Sequence, residues 1–458
     1  MMIETKNPST GESLSTYQEN SAAEIEDRIK ISHSVYKNWR ATPIEERATL
    51  ISTLSEILSK NKNRYAELIT IEMGKPIVQS LAEIEKCIKA CDFYAKDALV
   101  FLNQIEVNSD AAKSHIRFDA LGIVLGVMPW NFPFWQVFRF ALPVLLAGNT
   151  VLLKHAPNTT GCAIAIENIF KDAGFPEGTF FSILVSPERV SERIKEIIEH
   201  PFIRGVSFTG STETGRKIAS EAGKNLKRSV LELGGNDPYL ILEDADLDLA
   251  AEITANSRLQ NSGQSCIAAK RFIVVKKVRK EFESKLIEVF VKKKIGNPLN
   301  PETDIGPLAR LDLAENIERQ FAKSVEKGAK TVYRTEHIPE RGFYAPLTLL
   351  SEVTKGMPAF EEETFGPLGA IIQAKDDSEA IEIANDSIYG LGTTIFTKDQ
   401  IRFESLASKI EAGNCFFNAM VKSDPRLPFG GIKDSGIGKE LGEFGMREFV
   451  NAKTVFIK

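Results

Sequence analysis

The sequence predicts an α/β protein built from two doubly wound domains. Two series of short, continuously apolar strands alternate with helical segments, the first beginning at Ile123 and the second at Phe272. Strands that are apolar throughout are typical of parallel sheets covered by helices on both faces. The chain has 458 residues, of which 43% are hydrophobic, so it is long enough to bury two or three separate cores.

Residues 21–104 precede the first series and predict three amphipathic helices that cover a sheet. A capping box at Ser21 begins the first helix. Pro43 begins the second, the turn after Gly74 ends it, and the third continues to about Leu102. Helix starts and ends of this kind are set by capping residues, proline and glycine.

Residues 105–120 are polar and extended, with a turn signal at Asn108–Asp110. They carry too few apolar side chains for a core hairpin, so we expect them to protrude and pair with another segment. The end of the chain, 448–458, alternates like an edge strand.

The two series place their strands at regular intervals. The first has strands at 123–128, 151–154, 180–185 and 205–209, and the second has strands at 272–275, 368–373, 393–396 and 413–418. Ligands of such open sheets bind outside the carboxyl ends of the strands.

Composition excludes several classes of function. The net charge of −5 argues against nucleic acid or an anionic membrane as a partner. No apolar run reaches the roughly 18 residues that span a bilayer, and the first residues lack the apolar core of a signal peptide. We expect a cytoplasmic protein.

Five scattered cysteines and five histidines form neither a disulfide framework nor a spaced ligand set. Cys87 and Cys91 lie four residues apart, but no further ligand stands near them. We therefore expect no structural metal.

Three side chains are candidates for catalysis. Cys266 lies in the small, polar segment 260–270 just before an apolar strand, where it is either a nucleophile or an inert buried thiol. Glu232 ends an apolar strand and is either a base of raised pKa or half of a surface salt bridge. Asn131, between two prolines, is either an oxyanion donor or a turn residue.

Other segments suggest binding. The turn 210–215 follows a strand and opens a helix, which suits a phosphate as well as a simple helix start. Lys154 ends a strand. Arg139 is a lone charge in an apolar stretch and must find an anion or an acidic partner. Arg258 and Arg426 are further candidates, although surface placement is the safer interpretation of both.

These motifs resemble the aldehyde dehydrogenase superfamily along the whole chain. The matching segments are 129–133, Lys154, 208–215, 231–235, 263–266, 363–367 and 428–436. The resemblance implies an atypical Rossmann cofactor domain (1–104 and 121–233), a catalytic domain (234–427) and a β oligomerisation arm (105–120 and 428–458). It also implies a homodimer or a dimer of dimers.

The same resemblance implies a role for each matching residue. Cys266 attacks the aldehyde, Asn131 holds the oxyanion and Glu232 activates the water that releases the acid. Lys154 and Glu363 hold the ribose units of NAD or NADP, and Ser211 holds the pyrophosphate. The further cofactor contacts that it implies are Trp130, Pro157, Gly210, Gly215, Leu233 and Phe365.

Within the family, the chain is similar to bacterial and archaeal succinate-semialdehyde dehydrogenases. That similarity implies Arg139, Ser265 and Ser423 as substrate contacts and a small semialdehyde as the substrate. Two positions depart from the pattern. Gln260 stands where many members carry a second arginine, and Pro157 replaces the glutamate of NAD-specific members, so NADP is tolerated and the preference stays open.

The alternatives are a dehydrogenase for glutarate semialdehyde or a neutral aldehyde, a CoA-acylating semialdehyde dehydrogenase and a non-catalytic binding protein. The complete set of Asn131, Glu232 and Cys266 argues against the last. Glu232 argues against CoA acylation, because a hydrolytic base destroys the thioester.

Overall fold

The structure, a computed structural model, describes residues 1–458. The chain begins with an antiparallel hairpin that the sequence did not lead us to expect, and four helices follow it. These elements are β1 (Met2–Lys6), β2 (Ser13–Gln18), α1 (Ala22–Trp39), α2 (Ile44–Lys60), α3 (Lys62–Met73) and α4 (Ile77–Lys96). The prediction of three helices was wrong, because the second divides at Asn61, whose φ of −110° and ψ of 17° leave the helical region. The capping box at Ser21 is present.

The rest of the chain alternates strands and helices as predicted. The first part contains β3 (Ile105–Glu106), β4 (Lys113–Ala120), β5 (Ile123–Met128), α5 (Trp135–Leu146), β6 (Thr150–His155), α6 (Thr160–Asp172), β7 (Phe180–Ile183), α7 (Val190–Glu199), β8 (Ile203–Thr209), α8 (Thr212–Lys224) and β9 (Arg228–Glu232). The middle contains β10 (Pro238–Ile241), α9 (Leu247–Leu259), β11 (Arg271–Val275), α10 (Arg279–Val291), α11 (Leu311–Glu326), β12 (Lys330–Arg334), β13 (Thr348–Ser351), α12 (Pro358–Glu361) and β14 (Leu368–Ala374). The last part contains α13 (Asp377–Asn385), β15 (Tyr389–Gly390), β16 (Gly392–Phe396), α14 (Gln400–Ala407), β17 (Asn414–Phe417), β18 (Ile432–Lys433), β19 (Gly436–Ile437), α15 (Gly442–Arg447) and β20 (Val450–Ile457).

The first series forms a six-stranded sheet with the order β19-β9-β8-β5-β6-β7. All neighbours are parallel except the short edge strand β19. The order reverses between β5 and β8, because the chain moves outward through β6 and β7 and then returns to the other side of β5. Such a reversal opens a crevice at the carboxyl ends of the strands.

The second series forms a seven-stranded sheet with the order β12-β13-β14-β11-β10-β16-β17. It is parallel apart from β12 at its edge. The two sheets confirm the predicted α/β class, whereas β12 and β13 were not predicted from the sequence. The boundaries of the two predicted domains stay predictions.

Residues 105–120 do pair with another segment, and their partner is the end of the same chain. A three-stranded sheet has the order β20-β4-β3, and β20 pairs antiparallel with β4 from Val450 to Ile457. β20 is therefore an edge strand, as its alternating pattern indicates.

Side chains that alternate along the strands fill a core on each face of both sheets. In β5, Ile123, Leu125 and Val127 belong to one apolar cluster, whereas Val124 and Met128 belong to another, which includes the helices α2 to α5. Two further clusters lie on the two faces of the seven-stranded sheet. The sheets are thus buried on both sides, which fixes the strand ends that carry the candidate site. None of the helices has both the length and the apolar surface that a bilayer crossing requires.

Candidate active site

The segment before Cys266 has an unusual backbone. Asn261, Ser262 and Gly263 all have positive φ, at 53°, 55° and 84°. A left-handed conformation costs a non-glycine residue about 1–2 kcal/mol, and such strain is concentrated at functional sites. At Gly263 only glycine fits, since an added Cβ would lie 2.3 Å from the carbonyl oxygen of Gly366.

Hydrogen bonds hold this strained loop in place. The Asn261 side chain donates to the carbonyls of Asn131 and Gln264 at 2.7 and 3.2 Å. Ser262 Oγ donates to the carbonyl of Gly306 at 3.1 Å, and the Gln264 side chain accepts from the Ala309 amide at 2.9 Å. The loop thereby presents Cys266 in one fixed orientation.

Two buried cations complete the support, and the sequence analysis missed both roles. Lys270 Nζ donates to the carbonyls of Ser265 and Cys266 at 3.0 and 2.7 Å. Arg258 donates to the carbonyl of Gly263 at 2.6 Å and to that of Thr364 at 3.1 Å. The surface placement expected for Arg258 was wrong, because its guanidinium is fully buried and binds these carbonyls.

Residues 130–132 lie between two cavities of the site. Trp130 lines a large cleft at the end of the six-stranded sheet, and Phe132 lines a narrow cavity that contains Cys266. Between them, Asn131 donates from Nδ2 to the Gln264 carbonyl at 3.1 Å. That nitrogen carries a second hydrogen, so one amide donor of Asn131 remains beside the cysteine loop.

Glu232 is a buried acid, not half of a surface salt bridge. Neither of its carboxylate oxygens has a hydrogen-bond partner. Burial raises the pKa of Glu232 well above the ordinary value; Arg139 opposes the rise and the nearby Glu440 adds to it. A carboxyl in such an environment is a stronger base than an ordinary glutamate whenever it is ionised.

The thiol of Cys266 is affected in the same way. Burial raises the pKa of its thiol to about 12, Arg139 and Lys270 oppose this, and Glu363 and Glu232 add to it. The charges of these groups interact, so the thiol and the two acids belong to one electrostatic cluster. The resting thiol has to lose its proton to become a nucleophile.

Arg139 belongs to this cluster, and its guanidinium is paired with an acid of the protein. Its Nε faces the carboxylate of Glu440 in a buried ion pair, and it donates to Thr209 Oγ1 at 3.2 Å. Arg139 also lines the narrow cavity at Cys266. The sequence leads us to expect a contact between this guanidinium and the substrate carboxylate. In the structure, the guanidinium instead forms its ion pair with Glu440. No sequence motif marked Glu440, which lies in the glycine-rich stretch 436–442.

The large cleft has a volume of 850 Å³ and lies at the carboxyl ends of β5, β6 and β8, where the strand order reverses. Two donors line it without protein acceptors. Lys154 is buried, and burial alone lowers the pKa of its ammonium to about 8. Asn158 Nδ2 is buried and has no partner. Ribose hydroxyls and phosphates of a dinucleotide are acceptors that fit this set.

No unpaired carboxylate faces that cleft. Its two acidic side chains, Glu213 and Glu221, form salt bridges with Lys217 and Lys224 at 2.7 and 2.8 Å. Pro157 lines the cleft at the position where the family resemblance leads us to look for a glutamate. The lining therefore contains no unpaired acid that would repel a 2′-phosphate.

The other predicted cofactor contacts divide into two groups. Gly210 and Ser211 line the cleft, although Ser211 Oγ caps α8 by accepting from Thr214. The lining does not include Gly215, Leu233, Glu363 or Phe365.

Packing and hydrogen bonds account for three residues of the second group. Gly215 packs on Leu233, since an added Cβ would approach the leucine within 2.4 Å. Glu363 accepts from the Gly235 amide at 3.0 Å, and burial raises its pKa. The cofactor roles of all these residues stay predictions.

The narrow cavity at Cys266 opens into an outer cavity of 710 Å³, and the two share part of their lining. The shared residues are Lys86, Phe132, Gln260, Met420, Lys422 and Ser423. Ser265 lines only the narrow cavity, and Arg426 lines only the outer one. Together the two cavities form a path from the surface to the thiol.

This path carries an excess of positive charge. Its four acids are already paired: Glu83 with Lys75, Glu85 with Lys62, Asp304 with Lys293 and Asp424 with Arg426. Three further lysines line it without an acidic partner: Lys86, Lys89 and Lys422. An anionic substrate is therefore favoured over a neutral or cationic one.

Comparisons with known proteins agree with this geometry. The model of the aldehyde dehydrogenase family matches residues 1–455. A probable succinate-semialdehyde dehydrogenase (NADP(+)) of Synechocystis is 44% identical over 457 residues and covers 100% of both chains. A succinate semialdehyde dehydrogenase (NAD(P)+) of Escherichia coli is 42% identical, over 98% of this chain and 96% of its own. A solved succinic semialdehyde dehydrogenase from Streptococcus pyogenes, in complex with NADP+, superposes with a TM-score of 0.96 at 38% identity over 99% of both chains.

Proposed function

This chain belongs to the aldehyde dehydrogenase family, and we propose that it oxidises succinate semialdehyde to succinate with NADP+ or NAD+. The observation that carries the proposal is the path to Cys266. It carries three lysines without acidic partners, and all of its acids are already paired. A small aldehyde with a carboxylate at its other end matches both the thiol and that positive charge.

The first step forms a bond between Cys266 and the aldehyde. The thiol releases its proton to solvent through the two cavities, sulfur attacks the carbonyl carbon, and the carbonyl oxygen becomes an oxyanion. The second amide hydrogen of Asn131 stabilises this charge, since its first is held by the Gln264 carbonyl. Preorganised donors of this kind lower the barrier because they are fixed before the charge develops.

A nicotinamide nucleotide bound in the cleft supplies the acceptor for the hydride that the tetrahedral carbon loses. Lys154 and Asn158 would bind its ribose and phosphate oxygens, and Trp130 lines the same cleft. The absence of an unpaired acid near Pro157 lets the site accept NADP+ as well as NAD+.

The second half of the reaction releases the acid. The carbon is then held to Cys266 as a thioester, and a water molecule attacks it. Glu232 in its ionised form takes a proton from that water, and the raised pKa of its carboxyl makes it a stronger base than an ordinary glutamate. The C–S bond breaks, the thiol regains a proton, and succinate leaves by the positive path.

Steady-state kinetics tests the proposal. The expected result is a kcat/KM for succinate semialdehyde at least about tenfold above those for glutarate semialdehyde and butanal, a difference of ~1.4 kcal/mol. Comparable values for butanal would overturn the substrate assignment. Product analysis with and without CoA separates the acylating alternative, which yields succinyl-CoA instead of succinate.

We also propose that the protein is a cytoplasmic homodimer or dimer of dimers, associated through the sheet β3–β4–β20. β20 leaves one edge of that sheet unpaired, and apolar side chains of the sheet are exposed, among them Ile105 of β3 and Phe456 of β20. Edges of this kind pair with another strand. Light scattering during size-exclusion chromatography measures the mass, and a monomer would contradict the arrangement.

A further inference from the structure

Lys86 is the half-buried member of the unpaired lysines on the path to Cys266, and it lines both the narrow and the outer cavity. Its ammonium donates to Ser423 Oγ at 2.6 Å and lies 4.1 Å from the centre of the Trp135 ring. It makes no salt bridge. Two of its three N–H donors are left without a hydrogen-bond acceptor.

Ser423 is arranged to act together with this ammonium. Its oxygen accepts from Lys86 and also from Trp135 Nε1, at 3.1 Å. With its oxygen accepting from both, its own O–H donor is directed away from them. Ammonium and hydroxyl donors are therefore adjacent, and no acceptor from the protein satisfies them.

The position of Lys86 is fixed by the residue one helical turn before it. Glu83 accepts from the amides of Phe134 and Trp135 at 2.9 and 3.0 Å. It also forms a buried ion pair with Lys75. These bonds dock α4 on the start of α5, and because residues three apart share a helix face, Lys86 is placed over Trp135. Glu83 is fully engaged and does not neutralise Lys86.

We infer that Lys86, with Ser423, binds the carboxylate of the substrate at the far end from the aldehyde. The inference rests on the proposed function and assigns the substrate's charge to a residue that the sequence analysis did not single out. Arg139, the residue that we predicted for this role, is paired with Glu440. A carboxylate between Lys86 and Ser423 accepts from both donors and leaves no charge uncompensated.

Because Lys86 titrates near neutral pH, its contact with the substrate carboxylate should make the KM depend on pH. Burial, with a smaller contribution from Arg139, lowers the pKa of its ammonium to about 7. Cys87 and Glu83 on its own helix, and Asp424 on the loop after Met420, raise it. The other charged groups that line the outer cavity are Glu85, Lys89, Lys293, Asp304, Lys422 and Arg426. In the free enzyme the ammonium is lost as the pH rises through about 7, so the KM for succinate semialdehyde rises above that pH.

The test compares Lys86→Met, Lys86→Arg and Lys96→Met. Lys96 is an exposed lysine on the same helix, so its replacement removes the same charge away from the path. In Lys86→Met, the ratio of kcat/KM for succinate semialdehyde to that for butanal falls about 10- to 100-fold, as expected for the loss of a charge-assisted hydrogen bond. Lys96→Met leaves the ratio within about twofold of wild type. In Lys86→Arg the rise of KM above pH 7 disappears, because arginine stays charged.

A ratio that is unchanged in Lys86→Met overturns the inference, and so does a KM profile that keeps its rise in Lys86→Arg. Thermal unfolding shows whether each variant is folded, and Lys86→Gln replaces Lys86→Met if the latter is not. Inhibition by succinate, measured with butanal as substrate, separates the two proposals. One combination of results contradicts the proposed function but supports the carboxylate site. In it, the wild type shows no preference for succinate semialdehyde, yet succinate inhibits the wild type and does not inhibit Lys86→Met.

Discussion

Arg139 and Glu440 form a buried ion pair next to Glu232. The two side chains come from distant parts of the sequence, α5 and the turn before α15. Burial raises the pKa of Glu440, and Arg139 opposes that rise. The same guanidinium restrains the pKa of Glu232. Arg139 thus balances two buried acids, one of which is the proposed base.

Replacing Arg139 with methionine is expected to destabilise the fold and to impair every substrate alike. Removing one member of a buried pair costs about 3–5 kcal/mol because the other charge is left uncompensated. Urea unfolding measures this loss, and kinetics with succinate semialdehyde and butanal should show similar decreases in kcat/KM. The double variant Arg139→Met with Glu440→Gln removes both charges and should recover part of the stability. A loss confined to succinate semialdehyde would instead support Arg139 as the carboxylate contact.

Replacing Asn131 with alanine is expected to lower kcat/KM by about 100- to 1,000-fold, the usual effect of removing an oxyanion donor. Asn261→Ala is the matched control, since Asn261 holds the same loop through the carbonyls of Asn131 and Gln264. That variant should lose stability more than turnover. Equal kinetic defects in the two variants would mean that Asn131 acts only by holding the loop.

Replacing Glu232 with glutamine should separate the two halves of the reaction. Stopped-flow measurements are expected to show one rapid equivalent of NADPH, followed by a steady-state rate lowered about 100- to 10,000-fold for lack of a base. Because the pKa of Glu232 is raised, the wild-type hydrolysis rate should increase with pH well beyond the range in which ordinary glutamates titrate. Loss of the first equivalent would place Glu232 in the attack step instead.

Replacing Lys154 with methionine is expected to raise the KM for NADP+ about tenfold or more, as for other hydrogen bonds from a charged donor. The pKa of Lys154 is lowered to about 8, so in the wild type the affinity for NADP+ should fall as the pH rises through 8 and the ammonium is lost. Lys217→Met is the control, since Lys217 lines the same cleft but pairs with Glu213. An equal increase in KM in the two variants would argue against a specific contact.

How far the sequence predicts the structure depends on the kind of residue. The parallel strands were recognisable because burial on both faces requires continuous apolar runs, as in β5 and β11. The division at Asn61 was not, since the residues on both sides of it favour helix and only their packing separates α2 from α3. The hairpin β1–β2 and the strands β12 and β13 are short and partly polar, so their periodicity is too weak to predict them.

The candidate site shows the same division. Cys266, Glu232 and Asn131 stand in motifs that identify them locally, and the family resemblance drew on those motifs. Lys86 and Glu440 stand in none. Lys86 lies on an amphipathic helix and looks like any surface lysine, and Glu440 lies in a glycine-rich turn. Their importance comes from what they contact, and those contacts are with residues far away in the chain.

The sequence alone determined the α/β class, the family and the residues available for thiol chemistry, because apolar periodicity and short motifs are local properties. Only the tertiary structure decided which charges are paired and which are free. It assigned Arg139 to Glu440 and left Lys86 unpaired beside Ser423. The physical reason is that the energy of a buried charge depends on the groups within a few ångströms of it in space. The separation of two residues along the sequence does not determine that distance.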